Sequence, residues 1–253
     1  MRGYVQDNGL RETIVKGENC DVVTLVETHL SGDNYVNISG YKCFQHNRQL
    51  RHFRAKSSFG GLCILVKNCL FEDYTIDIVD KSHEGILAAL MKNKVSGYEV
   101  LLIACYLPPA NSNWGRDASE FFAHILILIY QFASDTDAIY VTGDLNSRIG
   151  NACDFIPEID SVTERVVIDK VKNKHGNELI EFLLEAKMIV CNGRITPCQD
   201  NFTCIEPAKG ASVVDYFITE IDYFNLCKEL TVVTARQLID KHYDVDSTDV
   251  NIG

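Results

Sequence analysis

Short apolar runs alternate with polar, Gly, Pro and Asn punctuation along the whole chain. Asp21–Val26, Gly60–Lys67, Ile86–Met91, Val100–Leu107, Ala138–Thr142 and Val213–Ile218 are brief, rich in β-branched residues and bounded by turn formers, so they read as buried strands. Tyr74–Val79 alternates apolar and polar residues, as a half-exposed strand does. A turn around Ser96-Gly97 links two of these runs. Two segments have helical spacing instead. Between Asp117 and Ala133, apolar residues fall at 118, 121, 122, 125, 126, 129, 132 and 133, with Asp117 and Glu120 at the end where the helix dipole favours acids. Asn177–Lys187 carries Leu179, Ile180, Phe182, Leu183 and Leu184, with Lys187 at the C-terminal end. Gln45–Ser58 and Gly150–Lys174 have no clear period and read as loops. No repeat, low-complexity tract or linker interrupts the chain, so a single domain over 1–253 is expected.

Composition narrows the function classes. With 46% hydrophobic and 23% charged residues among 253, the chain must bury a sizeable core, which excludes disorder throughout. Lys and Arg number 24 against 35 Asp and Glu, a net charge of −11, which excludes binding nucleic acid through a general basic surface. Any such site must be local, and a divalent cation would offset the acidic field. The ten cysteines include no CxxC pair, and several sit inside apolar runs (Leu62-Cys63-Ile64, Ala104-Cys105-Tyr106), so they read as reduced and buried. No window approaches the roughly 20 apolar residues of a membrane span. Met1-Arg2-Gly3-Tyr4 lacks the apolar stretch of a signal peptide. The expectation is an intracellular protein, in nucleus or cytoplasm, with no membrane association and no organic cofactor.

Four apolar runs end on a polar group. Glu27 closes Leu25-Val26, where a carboxylate is either a ligand at a strand end or a surface residue. Tyr106 precedes Pro108-Pro109, which force an extended exit; its hydroxyl either faces a cleft or edges the core. Gly143-Asp144-Leu145-Asn146 follows a strand. In an extended chain Asp144 and Asn146 share a side and can align a water or a phosphate; the alternative is an Asx turn. Asp215 lies within an apolar strand, where an unpaired charge would be costly, so it needs a partner or a position facing water.

In this order these groups resemble the endonuclease/exonuclease/phosphatase superfamily, and within it the apurinic-endonuclease-like domain of LINE-type, non-LTR retrotransposons. The resemblance rests on DVVTLVETHL (21–30), GGLCILVK (60–67), ACYLPP (104–109), VTGDLNSRIG (141–150), GNELIEFLLEAKMIVCNGR (176–194) and FTCIEPAKGASVVDYFITE (202–220), collinear over roughly 9–220. It implies a DNase I-like, four-layer α/β sandwich with two packed β-sheets flanked by helices. It also implies hydrolysis of phosphodiester bonds in DNA with Mg2+, or alternatively Mn2+. By position Glu27 matches the metal-binding glutamate and Tyr106 the tyrosine that contacts the scissile phosphate. Asp144 and Asn146 match the pair that positions water and phosphate, and Asp215 matches the aspartate close to a catalytic histidine.

The chain departs from the family pattern at both ends. Gln6 stands where the family has asparagine, three residues before Gly9-Leu10-Arg11, and the first strand reads as eroded. The closing Ser-Asp-His becomes Ile239-Asp240-Lys241-His242, in which the inserted Lys241 reverses the facing of His242 in an extended segment. His242 is still the one histidine with a candidate catalytic place, and the tail from about 238 is atypical. The remaining histidines (29, 46, 52, 83, 124, 175) lack metal-ligand spacing. Arg48, Arg51 and Arg54 in the loop, and Arg116 after the proline exit, are candidate phosphate contacts. Two alternatives to a DNA endonuclease stand: a catalytically impaired remnant that keeps the fold as a binding module, and a phosphatase of the same superfamily.

Overall fold

The computed structural model describes residues 8–30, 32, 34–47, 60–112, 117–195, 202–206, 210–233 and 235–242. The elements run α1 (Asn8–Glu18), β1 (Val22–Val26), β2 (Tyr41–His46), β3 (Leu62–Lys67), a single-turn α2 (Leu70–Asp73), β4 (Tyr74–Asp80), β5 (Ile86–Asn93), β6 (Glu99–Tyr106), α3 (Ala118–Phe132), β7 (Ala138–Asp144), α4 (Lys174–Ala186), β8 (Met188–Val190), β9 (Cys204–Glu206), β10 (Gly210–Ser212), β11 (Asp215–Glu220), a 3-10 turn (Ile221–Leu226) and α5 (Ala235–His242). They form a four-layer α/β sandwich. A six-stranded sheet, ordered β4-β5-β6-β7-β11-β8, faces a three-stranded sheet ordered β1-β3-β2, and β9 and β10 make a separate hairpin.

Side-chain alternation builds the layers. On β6, Leu101, Ile103 and Cys105 point to one face and join Phe121, Phe122 and Ile125 of α3 and Leu179, Phe182 and Leu183 of α4. Leu102, Ala104 and Tyr106 point to the other and meet Leu62, Ile64 and Val66 of β3. On the far side of β3, Cys63 and Leu65 pack with Val15 of α1 and with Val36 and Ile38. β3 is therefore buried on both faces, which is why its sequence is continuously apolar. α3 is the crossover between the parallel pair β6 and β7. It starts where the Asp117 side chain accepts a hydrogen bond from Ser119 N (3.0 Å).

The seven strand runs and both helices of the sequence reading are present, with ends shifted by a few residues. α4 begins earlier than its apolar stripe because Asn173 caps it and His175 and Gly176 are buried in its first turn. α1 and β2 were not foreseen. α1 contains two glycines and few apolar residues, and in β2 Cys43 and Phe44 break the alternation. The expected first strand, Met1–Val5, and Gln6 lie outside the described residues. Gly150–Lys174 is a loop as expected, apart from an isolated bridge between Ile149 and Lys172 and from Lys174, which already opens α4. It is held by a buried ion cluster in which Asp154 meets Arg194 (2.8 Å) and Arg165 (3.5 Å). The described cysteines are free thiols. No helix among the described residues is long and apolar enough to cross a membrane.

One glycine is indispensable to the central sheet. Gly143, the penultimate residue of β7, has φ +140°, and a Cβ there would stand 1.9 Å from the Cys105 carbonyl oxygen of the neighbouring strand. Gly143→Ala combines a backbone conflict with an unfavourable φ, and is expected to destabilise the fold by about 3 kcal/mol or more. A urea unfolding curve checks this: a midpoint unchanged from the wild type contradicts the packing described.

Candidate active site

Strand register assembles the site. β6 and β7 are parallel, with Tyr106 opposite Asp144. β11 runs antiparallel on the other side of β7, with Asp215 opposite the same Asp144. Residues paired across a ladder point to the same face and lie about 5 Å apart at Cα. Tyr106, Asp144 and Asp215 therefore form a row across three adjacent strands. Tyr106 belongs to the core between the two sheets, so the row faces the second sheet.

The second sheet contributes Glu27. It directly follows β1 in a left-handed conformation (φ 52°), as does His29 (φ 55°). The bend is fixed by Thr28 N–H and His29 N–H, which donate to the carbonyls of Gly61 (3.2 Å) and Gly60 (2.9 Å). Both glycines also have φ above +80°, a region other residues rarely enter, so the Gly60-Gly61 pair is the local requirement for this corner. The bend aims Glu27 across the gap, and the Tyr106 hydroxyl donates to Glu27 Oε1 at 2.6 Å. One hydrogen bond thus ties the two sheets together at the site.

Asn146 is not extended. It is left-handed (φ 46°), its N–H donates to Asp144 Oδ1 (2.9 Å), and its Nδ2 donates to the Leu107 carbonyl (2.9 Å). Of the two arrangements posed from sequence the Asx turn is the one present, and it brings Asn146 back beside Asp144. An amide nitrogen carries two hydrogens, so Asn146 keeps a second donor for a ligand.

The carboxylates crowd one another. Burial, then the charge of Asp215 and more weakly that of Glu27, push the Asp144 carboxyl well above the usual carboxylate range, against the lowering effect of the Asn146 amide. Burial, with the charge of Glu27, raises Asp215 as well, against the Thr203 hydroxyl bonded to it. Such a cluster of hard oxygen donors suits a magnesium ion, which needs only one or two protein carboxylates and fills its shell with water and phosphate oxygens. It does not suit a metal held wholly by protein: among the described residues no group of three His, Cys, Asp or Glu can hold a metal ion.

Two supporting residues escaped the sequence reading. Thr203, just before β9, accepts the N–H groups of Val214 and Asp215 (both 3.0 Å). Asn192, just after β8, accepts from Phe217 N (3.0 Å) and donates to the Asp215 carbonyl (3.1 Å). Both lie in stretches that carried the resemblance, but hydroxyls and amides that bind backbone have no period or spacing to mark them.

His242 is placed elsewhere. The segment expected to be extended is α5, which packs on α1. The His242 ring lies against Gly17, and its Nε2 is 2.6 Å from Glu18 Oε1. Glu18 precedes β1 and Glu27 follows it, so the length of that strand, about 17 Å, separates His242 from the cleft. The physical reason is helical register, which puts Lys241 and His242 together on Glu18. Of the other histidines, His46 Nδ1 is 3.0 Å from the Ile86 carbonyl oxygen and His124 Nε2 is 3.0 Å from Asp80 Oδ2. Arg48, Arg51, Arg54 and Arg116 lie outside the described residues.

Residues 4–242 match the Endonuclease/Exonuclease/phosphatase family. The chain belongs to this family. No curated protein matches it closely enough to serve as a relative. Solved structures with the same fold include an AP endonuclease from Leishmania major (TM-score 0.66, 11% identity, covering 88% of this chain and 76% of that one). A Neisseria 3′ phosphatase bound to a product DNA hairpin gives a TM-score of 0.59 at 13% identity, covering 88% and 85%. The human Nocturnin catalytic domain with a bound sulfate anion gives 0.54 at 11%, covering 85% and 74%. At these identities the likeness establishes the fold. The family's members are hydrolases acting on phosphate esters.

The charge crowding has a measurable consequence. Native Asp144 and Asp215 hold protons to a higher pH than the unfolded chain does, so native stability falls as pH rises through their raised pKa values. In chelator, Asp144→Asn is expected to raise the melting temperature at pH 8, with the gain shrinking as pH falls towards the ordinary carboxylate range. A lower melting temperature at pH 8 contradicts the crowding.

Proposed function

We propose that this protein is a magnesium-dependent phosphodiesterase that cleaves DNA, most closely related to the apurinic-type endonuclease domains of LINE-type retrotransposons. The observation that carries the reading is the meeting of Glu27, Tyr106, Asp144, Asn146 and Asp215 at one edge of two facing sheets, joined by the Tyr106–Glu27 hydrogen bond. The collinear sequence stretches support the retrotransposon branch, and the product DNA held by the Neisseria phosphatase of the same fold supports a nucleic-acid substrate.

Glu27, with Asp144 or Asp215, would hold the ion. When bound, magnesium polarises the phosphoryl oxygens and stabilises the leaving alkoxide. The second hydrogen of Asn146 Nδ2 is a donor fixed in advance for the charge that builds on the phosphoryl oxygens, whereas the single hydroxyl hydrogen of Tyr106, given to Glu27 in this structure, would serve a phosphoryl oxygen only by leaving that carboxylate. Asp144, held by the Asn146 N–H on one oxygen, orients the attacking water and accepts its proton on the other. Asp215, braced by Thr203, stays at the rim of the same row.

A second reading is favoured by one observation: His242, the candidate for the family's closing histidine, is engaged with Glu18 rather than with the cleft. On that reading the fold is a binding module without turnover.

Supercoiled plasmid and an abasic-site oligonucleotide, each with magnesium or chelator, decide between them. The nuclease reading expects metal-dependent nicking that falls at least about 100-fold in Asp144→Ala. It also expects His242→Ala to stay within about twofold of the wild type, since that side chain lies off the site. Absence of nicking by a folded wild type supports the module. Release of terminal phosphate without nicking indicates a phosphatase.

A further inference from the structure

We propose that Asn173 is a positioning residue for the catalytic loop, acting through Asn146; this rests on the nuclease reading above. Asn146 occupies a left-handed conformation, which is uncommon for residues with a Cβ although asparagine enters it more readily than most, and three side-chain hydrogen bonds fix it there. One of its restraints is local, to Asp144, and a second comes from the end of the neighbouring strand, where Asn146 Nδ2 donates to the Leu107 carbonyl. The third comes from 27 residues away in sequence: Asn173 Nδ2 donates to the Asn146 carbonyl at 2.9 Å.

The same side chain does a second task with its other atom. Asn173 Oδ1 accepts from Gly176 N (2.7 Å), which caps α4, and from Arg148 N (3.0 Å), while the Asn173 N–H donates to the Arg148 carbonyl (3.0 Å). Residues 146–148 are thereby fastened to the first turn of a helix whose Leu179, Phe182 and Leu183 are buried in the core. Arg148 is held in turn by both oxygens of Asp169 (2.8 and 2.6 Å), whose Oδ2 also accepts from Val213 N just before β11. Position 173 thus links the loop carrying Asp144 and Asn146 to a rigid platform.

The residue type separates the two tasks. Asp and Ser cap helices about as well as Asn. Neither carries an amide donor, so neither can hold the Asn146 carbonyl as Asn173 does. Capping alone therefore does not account for asparagine here, whereas the link to Asn146 does.

Asn173→Asp, Asn173→Ser and Asn173→Ala separate the roles, with plasmid nicking, thermal melting and amide hydrogen exchange as readouts. Asp and Ser are expected to keep the wild-type melting temperature and the protection of α4, yet to lower kcat about 10- to 100-fold with KM nearly unchanged, as misplacement of a catalytic pair does. Exchange over 144–149 rises in both. Ser, being neutral, separates loss of the donor from the added charge of Asp. Ala loses melting temperature and kcat together. Wild-type kcat in Asp and Ser overturns the proposal, as does a loss that only follows the unfolded fraction. If the wild type itself fails to nick, the nuclease reading has failed and exchange alone decides the link: unchanged protection over 144–149 in Asn173→Ser overturns it, and raised exchange there upholds it.

Discussion

Asp144 is the residue around which the site is organised. It lies opposite Tyr106 on one side and Asp215 on the other, and a third acid, Glu27, reaches it from a different sheet. Bringing like charges together in a partly buried place works against folding, and the surrounding structure opposes that repulsion with fixed donors. Asn146 N–H serves Asp144, the Thr203 hydroxyl serves Asp215, and the Tyr106 hydroxyl serves Glu27. Each donor comes from a different strand or loop, so the cluster exists only when both sheets and their connections are in place. A divalent ion among these oxygens would offset the same repulsion, which links ligand binding to the electrostatics of the cleft itself.

The four-layer arrangement explains how so much polarity is tolerated. The space between the sheets is apolar along β3, β5 and β6 and becomes polar only where the strands end. Strand ends lack further ladder partners, and the acids there are only partly buried. Placing acids there avoids burying them in the core while keeping them on rigid supports. The corners are made by residues in uncommon conformations: Glu27, His29 and Asn146 are all left-handed. Of the six described non-glycine residues with positive φ, these three lie at or beside the candidate site, and Asn19, Glu158 and Lys187 lie elsewhere.

The last described segment of the chain is the helix α5. Lys241 and His242 share one helical turn and both reach Glu18, which fixes α5 against α1 on the outer side of the small sheet. The segment thus serves the outer packing, away from the row of Tyr106, Asp144 and Asp215.

Read alone, the sequence determined the strand runs, the two amphipathic helices and the strand-end positions of Glu27, Tyr106 and Asp144, whereas Asp215 read as lying inside its strand and is in fact the first residue of β11. Side-chain period and apolar content are local properties, and burial of apolar surface leaves few other ways to satisfy them. It did not reveal β2 or α1, whose apolar faces are short and interrupted, nor Thr203, Asn192 and Asn173, which act by hydrogen bonds to distant backbone. Tertiary structure alone decided that Asn146 turns back towards Asp144, that Glu27 bonds Tyr106 across two sheets, and that His242 packs on α1. Each of these depends on which residues meet across many intervening positions, and the spacing along one strand or helix carries no record of that.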